Sequence, residues 1–343
     1  MSLIEVRDLR KVFRQAKKDP GLIGAVKHLF TQNYVDKYAV EGIDLSINEG
    51  ETVAYVGPNG AGKSTTIKML CGVLVPTAGE IRVDGLNPHK QRMDNAQRIG
   101  AVFGQRTQLW WDIPIRESLA LLKDIYQVPQ PLFKRNLEAF TELLNLDEFM
   151  HLSARKVSLG QRMRADLAAA LLHNPKIVYL DEPTIGLDIS VKQRIREFIK
   201  QMNREHGTTM LLTTHDLGDI EDLCERLVII DRGKIIYDGK LQAVKDAFAR
   251  ERSIHMQLHS ELTDPSDLFA HLPDVQVEQT EPLTLTIRFD RFRITASEIV
   301  KNVMNQAEVI DFRIDEPGIE QIIRQVYDGK LDTAALADSA RGA

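Results

Sequence analysis

Residues 57–64 read Gly-Pro-Asn-Gly-Ala-Gly-Lys-Ser and satisfy the spacing G-x-x-x-x-G-K-S. That spacing suits one kind of chemistry. Gly57, Gly60 and Gly62, with Asn59 between them, let successive backbone N–H groups turn inward around a polyphosphate. A helix opening at the end of the loop adds partial positive charge from its N-terminus. Lys63 then neutralises the β- and γ-phosphates, the Ser64 hydroxyl holds Mg²⁺, and Thr65 completes the cradle. The flanks agree with this reading. An apolar strand, Glu51–Val56, runs straight into the loop, and a helical pattern over Thr65–Leu74 leaves it. The expected ligands are a nucleoside triphosphate, taken as ATP, and Mg²⁺.

A second apolar run, Ile177-Val-Tyr-Leu180, ends in Asp181-Glu182. Open α/β sheets bind ligands at the C-terminal ends of their strands, so both acids are expected beside the cradle. Asp181 is expected to bind the metal, directly or through water, and Glu182 to act as the general base that polarises the attacking water. Ser158-Leu-Gly-Gln161 lies upstream and has the form of a capping box opening a helix over Arg162–Leu172.

Taken together these residues resemble the ATP-binding cassette ATPases. Ser158, Gly160 and Gln161 look like the family's signature loop. Gln105, in Phe103-Gly-Gln-Arg, matches the Q-loop, Gly186-Leu187-Asp188 the D-loop, and His215, after Thr213-Thr214, the switch histidine. The motifs stand in the family's order across roughly Leu3–Gly239. One departure is Leu159, where the family usually has glycine; its side chain reduces backbone freedom at that point. The resemblance implies two half-sites that cannot meet within one chain. Lys63 and its neighbours grip one ATP, and Ser158 of a second copy closes over it, with Asp188 crossing the seam. Gln105 is then a sensor of γ-phosphate and Mg²⁺, and His215 a hydrogen-bond donor to the γ-phosphate. An aromatic side chain is expected to stack on adenine. Tyr38 is the first candidate, with Phe13 and Tyr34 as competitors.

The wider pattern resembles ATPase subunits of ABC-2-type exporters, including a viologen or multidrug exporter group, over the residue 14–36 insert, Gly104–Pro114 and Arg155–Leu187. Leu22, Val26, Leu29 and Phe30 form an apolar stripe in that insert, and Lys17, Lys18, Lys27 and Lys37 surround it. Such a helix can lie on a membrane surface or on a membrane partner, or pack on its own domain. Adjacent Trp110 and Trp111 either mark an interface or plug a helical subdomain. The expected partners are a second copy of the chain and ABC-2-type permease subunits, with peripheral contact at the cytoplasmic face of the inner or plasma membrane. No nucleic-acid partner is expected. The competing reading is a soluble cassette ATPase acting on nucleic acid or ribosomes. No Asn-Lys-x-Asp guanine motif supports a GTPase.

The elements that must position these residues follow from periodicity. Strands alternate with helices through the first two thirds of the chain, which argues for a largely parallel, covered sheet. Leu3–Val6 and Val40–Ile47 read as short strands around the long insert. Pro129 and Pro131 break a helical stretch from about Ser118 to Leu172. Leu227–Ile230 and Ile235–Tyr237 read as a hairpin across Asp231-Arg232-Gly233-Lys234. Beyond about Leu241 a β-α-β-β-α-β order suggests a small ferredoxin-like α+β domain. Its first helix is expected over Pro265–Leu272 and its last over Ile319–Tyr327. The expected fold class is therefore α/β, a P-loop nucleotide-binding domain over residues 1–241. It has a RecA-like core and a helical subdomain at about 107–172. An accessory domain follows over 242–328, and a flexible tail over 329–343.

Composition sets the outer bounds. The chain has 343 residues, 43% apolar and 27% charged, which fits a globular protein of more than one domain. A net charge of -5 gives no global attraction to nucleic acid. Cys71 and Cys224 are too far apart in sequence for a metal-ligand motif and point to a reducing compartment. No leader-like segment and no membrane-length apolar run is expected.

Overall fold

The computed structural model describes residues 2–16, 34–104, 106–248, 251–260, 269 and 275–315. The chain divides into two compact units after Gly239. The first contains two sheets and a helical subdomain. β1 (Ser2–Ala16) and β2 (Tyr34–Asn48) form a long antiparallel pair, with β4 (Ala78–Val83) on the other side of β1. The second sheet has six strands in the order β5-β6-β7-β3-β8-β9. Its strands are β3 (Thr52–Val56), β5 (Ile99–Phe103), β6 (Ile177–Asp181), β7 (Thr209–Thr213), β8 (Arg226–Asp231) and β9 (Lys234–Lys240). The pairs β5/β6, β6/β7, β7/β3 and β3/β8 are parallel. β8 and β9 are joined across Arg232 (φ 46°) and Gly233 (φ 78°), a turn with both central residues left-handed that matches strand twist.

Apolar β-branched and aromatic residues make these strands. Val53, Tyr55, Ile177, Tyr179, Leu211 and Val228 are buried together with Ile67, Met69 and Leu70 of α1 (Lys63–Leu70). Tyr55 and Tyr179 are among the largest fully buried side chains. Tyr55 directs its hydroxyl at Thr66 Oγ1, 3.4 Å away, which ties β3 to the helix that follows it. α2 (Arg92–Arg98) leads into β5.

The helical subdomain comprises α3 (Ile115–Ile125), α4 (Gln130–Leu144) and α5 (Leu159–Leu171). Pro129 is the N-cap of α4 and Pro131 lies in its first turn. The prolines therefore open a helix as well as interrupt the stretch, because a first-turn proline forfeits only an N–H that has no helical partner. Asn136 donates to Leu172 O (2.9 Å) and Asn174 Oδ1 (2.8 Å), and Arg164 to Leu144 O (2.7 Å). Those bonds close the free carbonyls at the ends of α5 and α4. α6 (Ile189–His206) packs on α4 through Phe140 and Phe198, edge to face with centroids 5.2 Å apart. α7 (Leu217–Leu223) follows β7.

In the second unit α8 (Leu241–Phe248) leads to an antiparallel sheet in the order β11-β12-β10-β13. The strands are β10 (Glu251–Leu258), β11 (Val275–Glu281), β12 (Thr284–Asp290) and β13 (Val309–Asp315). This is the strand order of a ferredoxin-like plait. α9 (Ala296–Met304), opened by a Thr295/Glu298 capping box, buries Ile299 and Val303 against Ile254, Met256, Leu285 and Ile287. The helices expected over 265–272 and 319–327 and the tail at 329–343 lie outside the described residues, Phe269 excepted.

Some expected bounds shift. β1 and β2 are longer than expected, because cross-strand pairing continues from Arg14↔Asp36 to Ala16↔Tyr34. The ends of the expected 14–36 insert are therefore strand. Its apolar stripe, with Lys17, Lys18 and Lys27, lies outside the described residues. α1 begins at Lys63, since Gly62 (φ 114°) already ends the loop.

Phe140 is buried between two helices. Phe140→Ala should cost about 3–5 kcal/mol of stability in a denaturant titration, more than collapse around the gap can recover.

Candidate functional site

Parallel register builds the site. Asp181 pairs with Thr213 and with Phe103, so β5, β6 and β7 end level beside the loop that leaves β3. Around those ends is a cavity of about 800 Å³. Pro58 through Thr65 line it, with Lys68, Asp181, Glu182 and His215. Asn59, Gly60, Gly62, Lys63, Ser64 and Thr65 are thus brought together as expected. Gly57 sits behind the lining and accepts a 2.5 Å hydrogen bond from Lys63 Nζ; Pro58 O accepts a second at 3.3 Å.

α1 has no side-chain cap, and its first backbone bond runs from Thr66 N to Gly62 O. The N–H groups ahead of it have no helical partner and face an anion site. Gly62 is needed twice over. Its φ is positive, and a Cβ there would lie 2.4 Å from Ala39 O.

The acids are held by their neighbours. Thr213 Oγ1 donates to Asp181 Oδ1 at 2.5 Å and Ser64 Oγ to the same oxygen at 3.3 Å. Glu182 has φ 58°, rare for a residue with a side chain, and its N–H donates to Thr213 O at 2.9 Å. His215 Nε2 lies 3.3 Å from Glu182 Oε1, and His215 N donates to Glu182 Oε2 at 3.3 Å. Gly104 admits this loop, since a Cβ would come within 2.5 Å of Glu182 O.

Burial pushes the Glu182 carboxyl above its ordinary pKa, against the opposing pull of His215 and Lys63. Burial also pulls the Lys63 ammonium down, against Glu182 and Asp181. Lys63 is only 8% exposed, so each group is charged at the expense of solvation that the other partly restores.

A metal fits this donor set. Among the described residues no group of three His, Cys, Asp or Glu gathers. One hydroxyl and one carboxylate side by side suit Mg²⁺, which keeps waters and phosphate oxygens in its shell.

The lining differs from the expected residues at one position and extends them at others. Tyr38 does not line the cavity and is 59% exposed, whereas Phe13, Lys37 and Ala39 do line it. Strand alternation explains this: Lys37 and Ala39 share a face, Tyr38 takes the other, and Phe13 pairs with Lys37. Lys37 is therefore a β2 residue of the cavity lining, while the expected helix lies outside the described residues. Arg106 also lines it, a residue that sequence reading missed. Gln105 lies outside the described residues.

Ser158, Gly160, Gln161 and Asp188 do not line the cavity. Ser158 caps α5: Gln161 N donates to Ser158 Oγ (3.2 Å), and Ser158 N to Gln161 Oε1 (2.9 Å). Leu159 is the first helical residue and has no left-handed backbone, so this position does not require glycine. Asp188 caps α6, accepting from Val191 N at 2.9 Å and Ser190 Oγ at 2.8 Å.

Trp110 and Trp111 are 40% and 50% exposed, while the neighbouring Leu109 is buried in their place. Arg162 stacks over Trp111 at 5.5 Å, and Arg155 pairs with Asp112 at 3.0 Å.

Comparison with known proteins agrees with this geometry. The family model described as ABC transporter matches residues 40–185. The ABC transporter ATP-binding protein NatA of Bacillus subtilis (strain 168) is 35% identical, covering 61% of this chain and 85% of its own. The linearmycin resistance ATP-binding protein LnrL of the same organism is 29% identical, covering 84% and 93%. ATP-binding proteins named for import match as well. A dimeric ATP-binding cassette solved in a post-hydrolysis state with ADP and Pi superposes with a TM-score of 0.58. It is 26% identical, over 69% of this chain and 98% of that one. With the phosphate loop, the acids and the switch histidine gathered at one sheet edge, the chain belongs to the ABC transporter family as an ATP-binding ATPase cassette that works with Mg²⁺.

Proposed function

We propose that this chain is the motor subunit of an exporter, acting as a head-to-tail pair with two ATP molecules between the copies. The observation that carries the pairing is the separation of two sets of residues. Lys63, Ser64, Asp181, Glu182 and His215 share the cavity, whereas Ser158, Gly160, Gln161 and Asp188 lie outside its lining. A two-fold pair lets each copy supply what the other's cavity lacks. The dimeric form of the ADP- and Pi-bound relative supports this reading.

In this mechanism Lys63 exchanges the Gly57 and Pro58 carbonyls for phosphate oxygens. Ser64 and Asp181, with Gln105, would hold Mg²⁺, which would supply charge neutralisation to the phosphates. Phe13 stacks on adenine and Lys37 lies beside it. Glu182 takes the proton of the attacking water, and burial raises its pKa above the ordinary carboxylate value, which makes it a stronger base. His215 orients the γ-phosphate. Loss of that phosphate removes the contacts that hold the pair closed.

Export is favoured by the resistance function in the name of LnrL, which matches along most of both chains. No helix among the described residues is long and apolar enough to cross a membrane. The membrane path then belongs to separate permease subunits, taken as ABC-2-type. The exposed Trp110-Trp111 loop, beside the segment that contains Gln105, is the surface that receives them. The chain works as a peripheral subunit at the cytoplasmic face.

Phe13→Ala should weaken ATP binding by about 5- to 100-fold in a fluorescence titration, the worth of one stacked base. Tyr38→Ala should leave it unchanged; the reverse pattern returns the stacking role to Tyr38.

Glu182→Gln should retain ATP binding, lose about 10²–10⁴-fold in turnover, and accumulate an ATP-bound dimer by size exclusion. In the wild type the rate should fall on acidification through a pKa above the ordinary carboxylate range, as Glu182 gains its proton. Near-normal turnover of the variant would remove Glu182 from the base role.

Purification with the membrane proteins encoded beside this chain should recover a complex, and charged replacements of Trp110 and Trp111 should dissolve it without loss of basal ATPase. A chain that stays apart from them and binds nucleic acid tightly at moderate salt would defeat the exporter reading.

A further inference from the structure

Asp219, on α7, is fully buried and takes no part in lining the cavity. A buried carboxylate is costly unless hydrogen bonds and opposite charge replace its water. Here three donors do so, and their origins are informative. Thr184 Oγ1 and Thr214 Oγ1 both donate to Oδ2, the latter at 2.9 Å. Arg196 Nε donates to Oδ1 at 2.7 Å. Thr184 lies two residues after Glu182, Thr214 immediately precedes His215, and Arg196 is on α6, the helix capped by Asp188.

Arg196 is itself held in place. It donates to Asp216 Oδ1 at 2.9 Å, and Lys192 Nζ donates to Asp216 Oδ2 at 2.5 Å. A Cβ on Gly218 would lie 2.7 Å from Arg196 Nη2, so the guanidinium sits tight against the turn after His215. Arg196 supplies the positive charge beside Asp219 and shares it with Asp216 and Asp222. The two threonine hydroxyls add one bond to each of the loops that hold Glu182 and His215.

We propose that Asp219 is a positioning residue for hydrolysis, clamping Thr184 and Thr214 so that Glu182 and His215 keep their working separation, with Arg196 tying that clamp to the helix behind Asp188. The proposal rests on the reading of Glu182 as the base. It does not make Asp219 a catalytic residue, since the carboxylate reaches the reacting atoms only through the two loops. A displacement of about 1 Å at a reacting group can cost on the order of 100-fold in rate.

The test uses the full chain and near-isosteric variants that remove one hydroxyl each, since Asp219→Asn alone risks failure to fold. Thr184→Val with Thr214→Val should lower kcat about 10-fold or more while KM and ATP affinity stay within about two-fold. Thr184→Ser with Thr214→Ser, which restores the donors, should recover most of the rate. Melting temperature is measured alongside. The proposal is overturned if the valine pair keeps wild-type kcat, if KM rises as kcat falls, or if the serine pair is no better than the valine pair. A Glu182→Gln control separates the two claims. Normal turnover there removes the base assignment, whereas an inactive Glu182→Gln beside a fully active valine pair removes only the clamp.

Discussion

The register of the parallel strands is the constraint on which the site depends. β7 lies between β3 and β6, and Asp181 pairs with Thr213. The phosphate loop, both acids and the switch histidine are far apart in sequence, and only this alignment brings them to one edge. A one-residue slip would turn every side chain of a strand to its opposite face. Thr213 would then no longer reach Asp181, and Glu182 would lose the Thr213 carbonyl that holds its left-handed backbone. β6 and β7 are buried along nearly their whole length, as strands covered on both faces are.

Charge in the cavity mixes both signs, with Lys37, Lys63, Lys68 and Arg106 against Asp181 and Glu182. Lys63 is buried beside two carboxylates, and burial moves Lys63 and Glu182 in opposite directions on the pH scale. Each group stabilises the charged form of the other, and neither is fully compensated. Lys37 and Arg106 add positive charge at the lining.

The capping motifs serve local stability whatever else they do. Ser158 and Gln161 satisfy the start of α5, and Asp188 that of α6. The two helix starts are close to each other: a Cβ on Gly186 would lie 3.4 Å from Leu159 Cδ2, and one on Gly160 would lie 3.4 Å from Val191. Leu159 therefore fills space against the loop before Asp188, an arrangement that glycine at this position would leave open. The two-copy reading assigns the Ser158 end of α5 to the partner's nucleotide and Asp188 to the seam between copies.

Local sequence determined a good deal. The G-x-x-x-x-G-K-S spacing, the Asp181-Glu182 strand end, the Ser158/Gln161 cap and the β8–β9 turn all follow from short-range backbone preferences and periodicity. What sequence left open depended on how strands pair. Tyr38 and Phe13 are equally aromatic, and nothing in the chain says which faces the cavity until β1 and β2 align Phe13 with Lys37. Arg106, the reach of the long β1–β2 pair and the Asp219 clamp were hidden for the same reason. Side-chain direction on a strand, and hydrogen bonds between residues dozens of positions apart, are settled by packing that no local pattern encodes.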